Sequence, residues 1–398
     1  MANTLIKNIR WIAENVKGRF CKRDKNLWVF GEWFGNRCCD NSLYFANYVA
    51  ENHPEIQVVW FTKESADTSL LASGITRMIM DTEEAAAALK KAGVIVMNQG
   101  YVDLSEKIDM HCAGALTVNL WHGIPWKKIG LDTLSGASAL RKLYGYYIQK
   151  SQGTDLYLAT SDDLAKIFVE KFYADPKGVI LAGYPRNTIF YSASSVAACR
   201  EKAVSQIKKN LGIQDDSVKI ITYMPTFRDK TQKVFSFEEL AADARLNDIL
   251  ERHNAVVVQR AHFVSSQRNA DADKANAGKI TSLDGITSQE LLAATDLLIT
   301  DYSSCFFDYL VLDRPIIHHL YDYEYYANQD RGLYYSKEEV ACGDVSQTTD
   351  DLLDYLEANL AEPDRNAQLR KLRRQQHMRY EAPDSCRVIY EEICKKLK

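Results

Sequence analysis

The tetrad Asp301-Tyr302-Ser303-Ser304 separates an apolar run, Leu297-Leu298-Ile299-Thr300, from a segment, Cys305-Phe306-Phe307-Asp308-Tyr309, that reads as the start of a helix. A buried strand, a polar bend and a serine-capped helix start make a seat for an anion. The first helical N–H groups lack intrahelical partners, the dipole presents its positive end, and two hydroxyls add donors. A diphosphate can be held in this way without a glycine-rich loop. Other predicted strands also end in groups suited to phosphate. His122-Gly123-Ile124-Pro125-Trp126-Lys127-Lys128 follows one, Gly183-Tyr184-Pro185-Arg186-Asn187 a second, Pro225-Thr226-Phe227-Arg228-Asp229 a third and Arg260-Ala261-His262 a fourth. Imidazole, guanidinium, ammonium and hydroxyl groups thus collect at strand ends, where open α/β sheets bind their ligands.

The elements that position these groups follow from hydrophobic patterning. Short apolar runs of strand length occur at 27–30, 58–61, 94–97, 116–121, 156–159 and 179–182, with helical stretches near 43–51, 83–92 and 163–172 between some of them. The same alternation resumes at 219–224, 255–259, 297–300 and 315–320. Strand and helix in turn predict parallel sheets covered by helices on both faces, an α/β fold. At 398 residues the chain is long enough for two such domains. The expected division is a basic amphipathic helix over 1–26, a Rossmann-like domain over 27–190, a polar connector over 191–216, a second Rossmann-like domain over 217–365 and a helical segment over 366–398.

Composition narrows the function classes. A net charge of −4 argues against a nucleic-acid binder driven by bulk charge. The 46% hydrophobic content contains no run of the length that crosses a bilayer, and no signal peptide is evident, so a cytoplasmic location is expected. Nine scattered cysteines without a C-x-x-C pair read as reduced thiols. In the opening segment Leu5, Ile9, Ile12, Val16 and Phe20 form a helical stripe beside Lys7, Arg10, Lys17, Arg19, Lys22 and Arg23. Such a helix lies on an anionic membrane surface or packs on its own domain. No metal site is expected: Asp271-Ala272-Asp273 sits in a polar loop, and the adjacent His318 and His319 point to opposite faces of a strand.

The segments Trp121-His122-Gly123-Ile124-Pro125-Trp126-Lys127-Lys128-Ile129-Gly130, Gly183-Tyr184-Pro185-Arg186-Asn187, Tyr223-Met224-Pro225-Thr226-Phe227-Arg228-Asp229 and Ile299-Thr300-Asp301-Tyr302-Ser303-Ser304 resemble those of the CDP-glycerol glycerophosphotransferase family, the teichoic-acid primases and polymerases. The resemblance continues through Phe306-Phe307-Asp308-Tyr309, Arg314-Pro315 and Asp330-Arg331-Gly332, and covers about 27–335. It implies a GT-B-like fold, two Rossmann-like domains facing a cleft, and transfer of a phosphopolyol from a CDP-polyol to a lipid-linked acceptor in teichoic-acid or capsule synthesis at the inner face of the membrane. It also implies that His122 and His262 are the two active-site histidines and that the chain is a compact, primase-type or capsule-assembly member. One departure is that His262 is followed by Phe263 where the family has proline.

In this reading His122 deprotonates the acceptor hydroxyl, because a near-neutral pKa suits a base. His262, Arg228, Thr226, Arg260, Ser303 and Ser304 bind the donor diphosphate, with Lys127, Asp301, Asp308 and Arg186 in support. No cofactor is expected. The rivals are a GT-B glycosyltransferase using a nucleotide sugar and a non-catalytic nucleotide-binding protein at the membrane.

Overall fold

A computed structural model describes residues 20–106, 112–134, 137–151, 153–226, 235–260, 276–329 and 332–397. The chain forms two compact units, one from residues 1–122, 129–188 and 379–398, the other from 123–128 and 189–378. The expected amphipathic stripe at the N-terminus lies outside the described residues. His262, Arg228 and the Asp271-Ala272-Asp273 loop do as well.

The N-terminal unit is built on a seven-stranded sheet: β1 (Asp24–Phe30), β2 (Gln57–Thr62), β3 (Thr76–Ile79), β4 (Ala92–Met97), β5 (Leu116–Asn119), β6 (Leu156–Ala159) and β7 (Val179–Leu181). Its order is β3-β2-β1-β4-β5-β6-β7, with every pairing parallel. Parallel strands are covered on both faces and therefore read as near-continuous apolar runs; all six residues of β4 are buried. Helices α1 (Asn41–Asn52), α2 (Glu83–Lys91), α3 (Ala139–Ser151) and α4 (Asp162–Lys171) connect the strands. Three of them start where an Asp, Thr or Ser side chain caps the first turn, at Asp40, Thr82 and Ser161.

The C-terminal unit repeats the plan. Helix α5 (Ala193–Leu211) fills the region expected as a connector and packs within this unit. The strands are β8 (Lys219–Met224), β9 (Ala255–Gln259), β10 (Asn276–Ala277), β11 (Ile280–Thr281), β12 (Leu297–Thr300), β13 (Ile316–His319) and β14 (Asp344–Ser346). They lie in the order β10-β11-β9-β8-β12-β13-β14, parallel except for the β10–β11 pair. With β8 as first strand this is again the doubly wound Rossmann order. In each sheet the strand order reverses at one point, between β1 and β4 and between β8 and β12, and the crevice at that reversal is where such folds bind ligands.

The chain path departs from a simple two-halves plan at both ends of these units. Gly123–Lys128, directly after His122, belongs to the C-terminal unit, where Trp126 is buried. Residues 379–398 return to the N-terminal unit. There helix α13 (Ser385–Leu397) brings Tyr390 into a stack with His53, ring centroids 3.5 Å apart. Among the described residues no helix is long and apolar enough to cross a membrane.

Candidate active site

In the N-terminal unit the groups at the sheet reversal gather around His122. The chain leaves β5 through Leu120, turns at Trp121 with φ +59°, and continues through Gly123 at φ +146°. A tryptophan in the left-handed region is strained and persists only where packing over-determines it. Here the indole is wedged against Phe168 and Phe172, ring centroids 5.2 and 5.1 Å away, and lies 4.6 Å from the His122 ring. The imidazole Nδ1 is 3.4 Å from the Asn98 carbonyl at the end of β4. Burial holds the His122 pKa below its ordinary value, opposed by the negative charge of Asp40.

Arg186, from the second strand-end motif, is buried and donates from Nη1 to Asp40 Oδ1 at 2.6 Å and to the His122 carbonyl at 3.0 Å. Asp40 Oδ2 also accepts from Trp33 Nε1 at 2.9 Å, and Oδ1 caps α1 through the Asn41 N–H. Beneath this pair Glu32 is fully buried and accepts from the backbone N–H groups of Cys39, Asp40 and Leu43. Burial and the nearby Asp40 charge lift its carboxyl well above the usual range. Asp103 accepts from the N–H groups of Phe34, Asn98 and Gln99, and burial pushes it up to about 6. The strand-end motif itself is pinned by the returning C-terminal segment: Tyr184 N–H and Asn187 Nδ2 donate to Glu381 Oε2. A Cβ on Gly183 would meet Glu381 and Ser385 at 2.6 Å, so only glycine allows that approach.

In the C-terminal unit the Asp301–Ser304 turn is built differently from the expected serine cap. Ser304 stands at the helix start with φ −66° and ψ −7°, its side chain makes no cap hydrogen bond, and α8 (Cys305–Tyr309) is five residues long before a 3-10 turn over Leu310–Leu312. Asp301 organises the turn instead. Its buried carboxylate accepts from Thr226 N–H at 2.7 Å, Thr226 Oγ1 at 2.6 Å and Tyr302 N–H at 2.6 Å. The next residue, Tyr302, stacks on Tyr326 with centroids 3.7 Å apart and planes 4° from parallel, and its hydroxyl donates to Asp322. Trp126 closes over Tyr302 and Phe306, at 5.3 and 6.0 Å between centroids, and its indole N–H donates to the Tyr335 carbonyl. Lys127 lies over the Tyr326 ring, 4.7 Å from its centroid.

The result leaves Ser303 and Ser304 half-exposed on a braced turn. The Thr226 hydroxyl is engaged by Asp301, Arg260 Nη1 donates to the Ile286 carbonyl at 2.7 Å, and Asp308 is buried within α8. His318 and His319 are both buried and occupy opposite faces of β13. The first accepts from Cys342 N–H, and the second pairs with Ser346 Oγ.

Sequence reasoning did not connect Asp40 or the Gly31–Gly35 turn with His122. It gave no role to Tyr326 or Asp322, which carry no spacing signal. The Asp40–Arg186 pair joins residues 146 apart, which only the folded chain reveals.

The chain is 26% identical to the teichoic acid poly(glycerol phosphate) polymerase of Bacillus subtilis over 92% of its own length and 46% of that protein. It is 30% identical to the polymerase of the same name from Bacillus spizizenii over 60% of its length and 59% of that protein. It thus spans about half the length of these relatives. Against the teichoic acid glycerol-phosphate transferase of Staphylococcus aureus the identity is 26%, with 84% of each chain covered. Among solved structures the wall teichoic acid polymerase TagF superposes with a TM-score of 0.75 at 20% identity, covering 100% of this chain and 98% of that one, which establishes the α/β, GT-B fold. The sequence pattern of the CDP-glycerol:poly(glycerophosphate) glycerophosphotransferases matches residues 16–395, and the chain belongs to that family.

Proposed function

We propose that this protein transfers a phosphopolyol from a CDP-polyol to an acceptor hydroxyl, releasing CMP. The acceptor oxygen attacks the phosphorus that bears the polyol, the bond from that phosphorus to the CMP oxygen breaks, and the proton of the attacking hydroxyl passes to His122. CMP leaves as a phosphate whose second pKa is about 6, so it needs no obligatory protonation at neutral pH. Catalysis then rests on placing the nucleophile and holding charge.

The observation that carries the reading is the setting of His122: a half-buried imidazole at the sheet reversal, kept neutral by burial, with its backbone carbonyl clamped by Arg186 and an aspartate charge close by. An imidazole neutral at physiological pH is ready to accept a proton. Ser303 and Ser304, on the turn braced by Asp301 and Tyr302, are the proposed diphosphate ligands, with His262, Arg228 and Arg260 completing the set and Thr226, Lys127, Asp308 and Arg186 supporting it. A structure of a TagF variant soaked with CDP-glycerol supports the choice of that donor.

The lipid-linked acceptor and a peripheral place on the inner membrane face belong to the same proposal. Helix α3 supports it: Leu140 and Leu143, 80% and 64% exposed, alternate with Arg141 and Lys142. Apolar and basic side chains side by side suit an anionic bilayer surface.

The test is nucleotide release, CMP from CDP-glycerol or CDP-ribitol and UDP from UDP-sugars, with mass spectrometry of the product. A phosphodiester product with a CDP-polyol alone is expected, and His122→Asn should slow release by about 10²- to 10⁴-fold, the usual contribution of a general base. Transfer of a sugar, or near-normal turnover by His122→Asn, overturns the assignment.

A further inference from the structure

Beside His122 lies an aromatic turn that the proton transfer itself does not use. Strand β1 runs into Gly31-Glu32-Trp33-Phe34-Gly35 at the sheet reversal, and both aromatic residues sit in the left-handed region, Trp33 at φ +47° and Phe34 at φ +56°. Bulky side chains rarely adopt this backbone, and two in succession require outside support. That support is specific. Trp33 N–H donates to Gln99 Oε1 and Phe34 N–H to Asp103 Oδ1, both at 3.0 Å.

The enforced backbone leaves the Phe34 ring 41% exposed and sets the Trp33 ring 6.4 Å from that of His122, at 63° between planes. Gln99 contributes a second feature: its Oε1 holds Trp33, while its buried Nε2 has no partner among the described residues. A buried donor left over is costly, so an oxygen that reaches it from a ligand, directly or through one water, is favoured. The turn is therefore mixed: an indole edge beside the His122 ring, an exposed aromatic face at the next residue, and a buried amide donor behind them. That combination fits a molecule with carbon–hydrogen faces and hydroxyls together, rather than an acyl chain, which needs a broad apolar surface.

We propose that the Trp33–Phe34 turn is the acceptor subsite. It takes the carbon face of a polyhydroxylated terminus, a sugar ring or a polyol chain, and sets its hydroxyl toward His122. This inference rests on the reading of His122 as the base.

The experiment compares two acceptor probes with the same octyl tail, octyl glycerol phosphate and octyl β-glucoside, in the CMP-release assay with the full chain and CDP-glycerol. Phe34→Ala and Phe34→Gly are both made, because glycine relieves the left-handed backbone while alanine keeps the strain, and each removes the ring. Both should raise the acceptor KM about 10-fold, a factor typical of one lost aromatic contact, while the KM for CDP-glycerol stays within about two-fold. Phe34→Tyr should restore the wild-type acceptor KM. The probe whose KM responds identifies the terminus as polyol or sugar. An active wild type whose Phe34 variants keep the wild-type acceptor KM for both probes overturns the subsite. A wild type that releases CMP from no CDP-polyol overturns the underlying reading and the subsite with it.

Discussion

Replacing Arg186 by methionine tests how His122 is held. The guanidinium is 5% exposed and lies 2.6 Å from Asp40 Oδ1, which is 4% exposed, so the substitution strands a carboxylate beside the already crowded Glu32. Breaking a buried pair by removing one partner costs about 3–5 kcal/mol, because the surviving charge is left without compensation. Asp40→Asn in the same background removes that charge, and the double variant should recover about 2–3 kcal/mol relative to the sum of the singles. Urea unfolding followed by tryptophan fluorescence reads mainly the N-terminal unit, which holds five of the six tryptophans. Arg186→Met also deletes the donor to the His122 carbonyl, and a displacement of this proposed base by about 1 Å costs on the order of 10²-fold in kcat. Asp40→Asn adds a pH signature. The Asp40 charge raises the His122 pKa against the effect of burial, so its removal lowers that pKa further and moves the acidic limb of the rate profile to lower pH. Strictly additive single and double variants, together with an unmoved acidic limb, would refute the coupling.

The C-terminal unit should be acid-sensitive. Burial holds His318 and His319 down at about 4, so the unfolded chain binds protons below about 6.5 that the folded one refuses. The stability from each, about 3 kcal/mol, is complete above that pH and lost progressively towards pH 4. Denaturant midpoints measured between pH 7 and 4.5 should fall, and His319→Asn should flatten the slope; an unchanged slope contradicts the burial argument. Asp103, raised to about 6, acts oppositely in the N-terminal unit, since protonation below pH 6 relieves its cost. Trp126→Ala should destabilise the C-terminal unit by about 3–5 kcal/mol. By loosening Tyr302 it should also raise the KM for CDP-glycerol, whereas an unaltered KM would separate Trp126 from the donor seat. Transfer should continue in EDTA, and strict dependence on added Mg²⁺ would count against a seat made of cations and hydroxyls.

Much of this architecture is legible in the apolar runs. Leu156–Ala159, Lys219–Met224, Ala255–Gln259 and Leu297–Thr300 are strands with the limits the sequence predicts, because burial on both faces leaves an uninterrupted apolar signature. Two of the edge strands lack it. Thr76–Ile79 has no fully buried residue, and Asp344–Ser346 has one, so neither announced itself. The return of residues 379–398 to the N-terminal unit was equally hidden, since helical periodicity does not say which sheet a helix covers.

The site divides along the same line. Strand-end residues could be found because a parallel sheet dictates where ligands go, whereas the bonds that hold them could not. At Ser304 local propensity points to a cap, yet the turn is governed by Asp301, whose carboxylate accepts from Thr226 and Tyr302 and so ties the end of β8 to the end of β12. Serine capping contributes about 1 kcal/mol. A buried carboxylate with three close donors contributes more, since hydrogen bonds to a charged group are worth about 1.5–3 kcal/mol each. The stronger interaction sets the backbone, and residues Ser303 and Ser304 stay half-buried on the turn. Asp301, expected from the sequence only to support the donor seat, thus carries the turn on which the two serines sit.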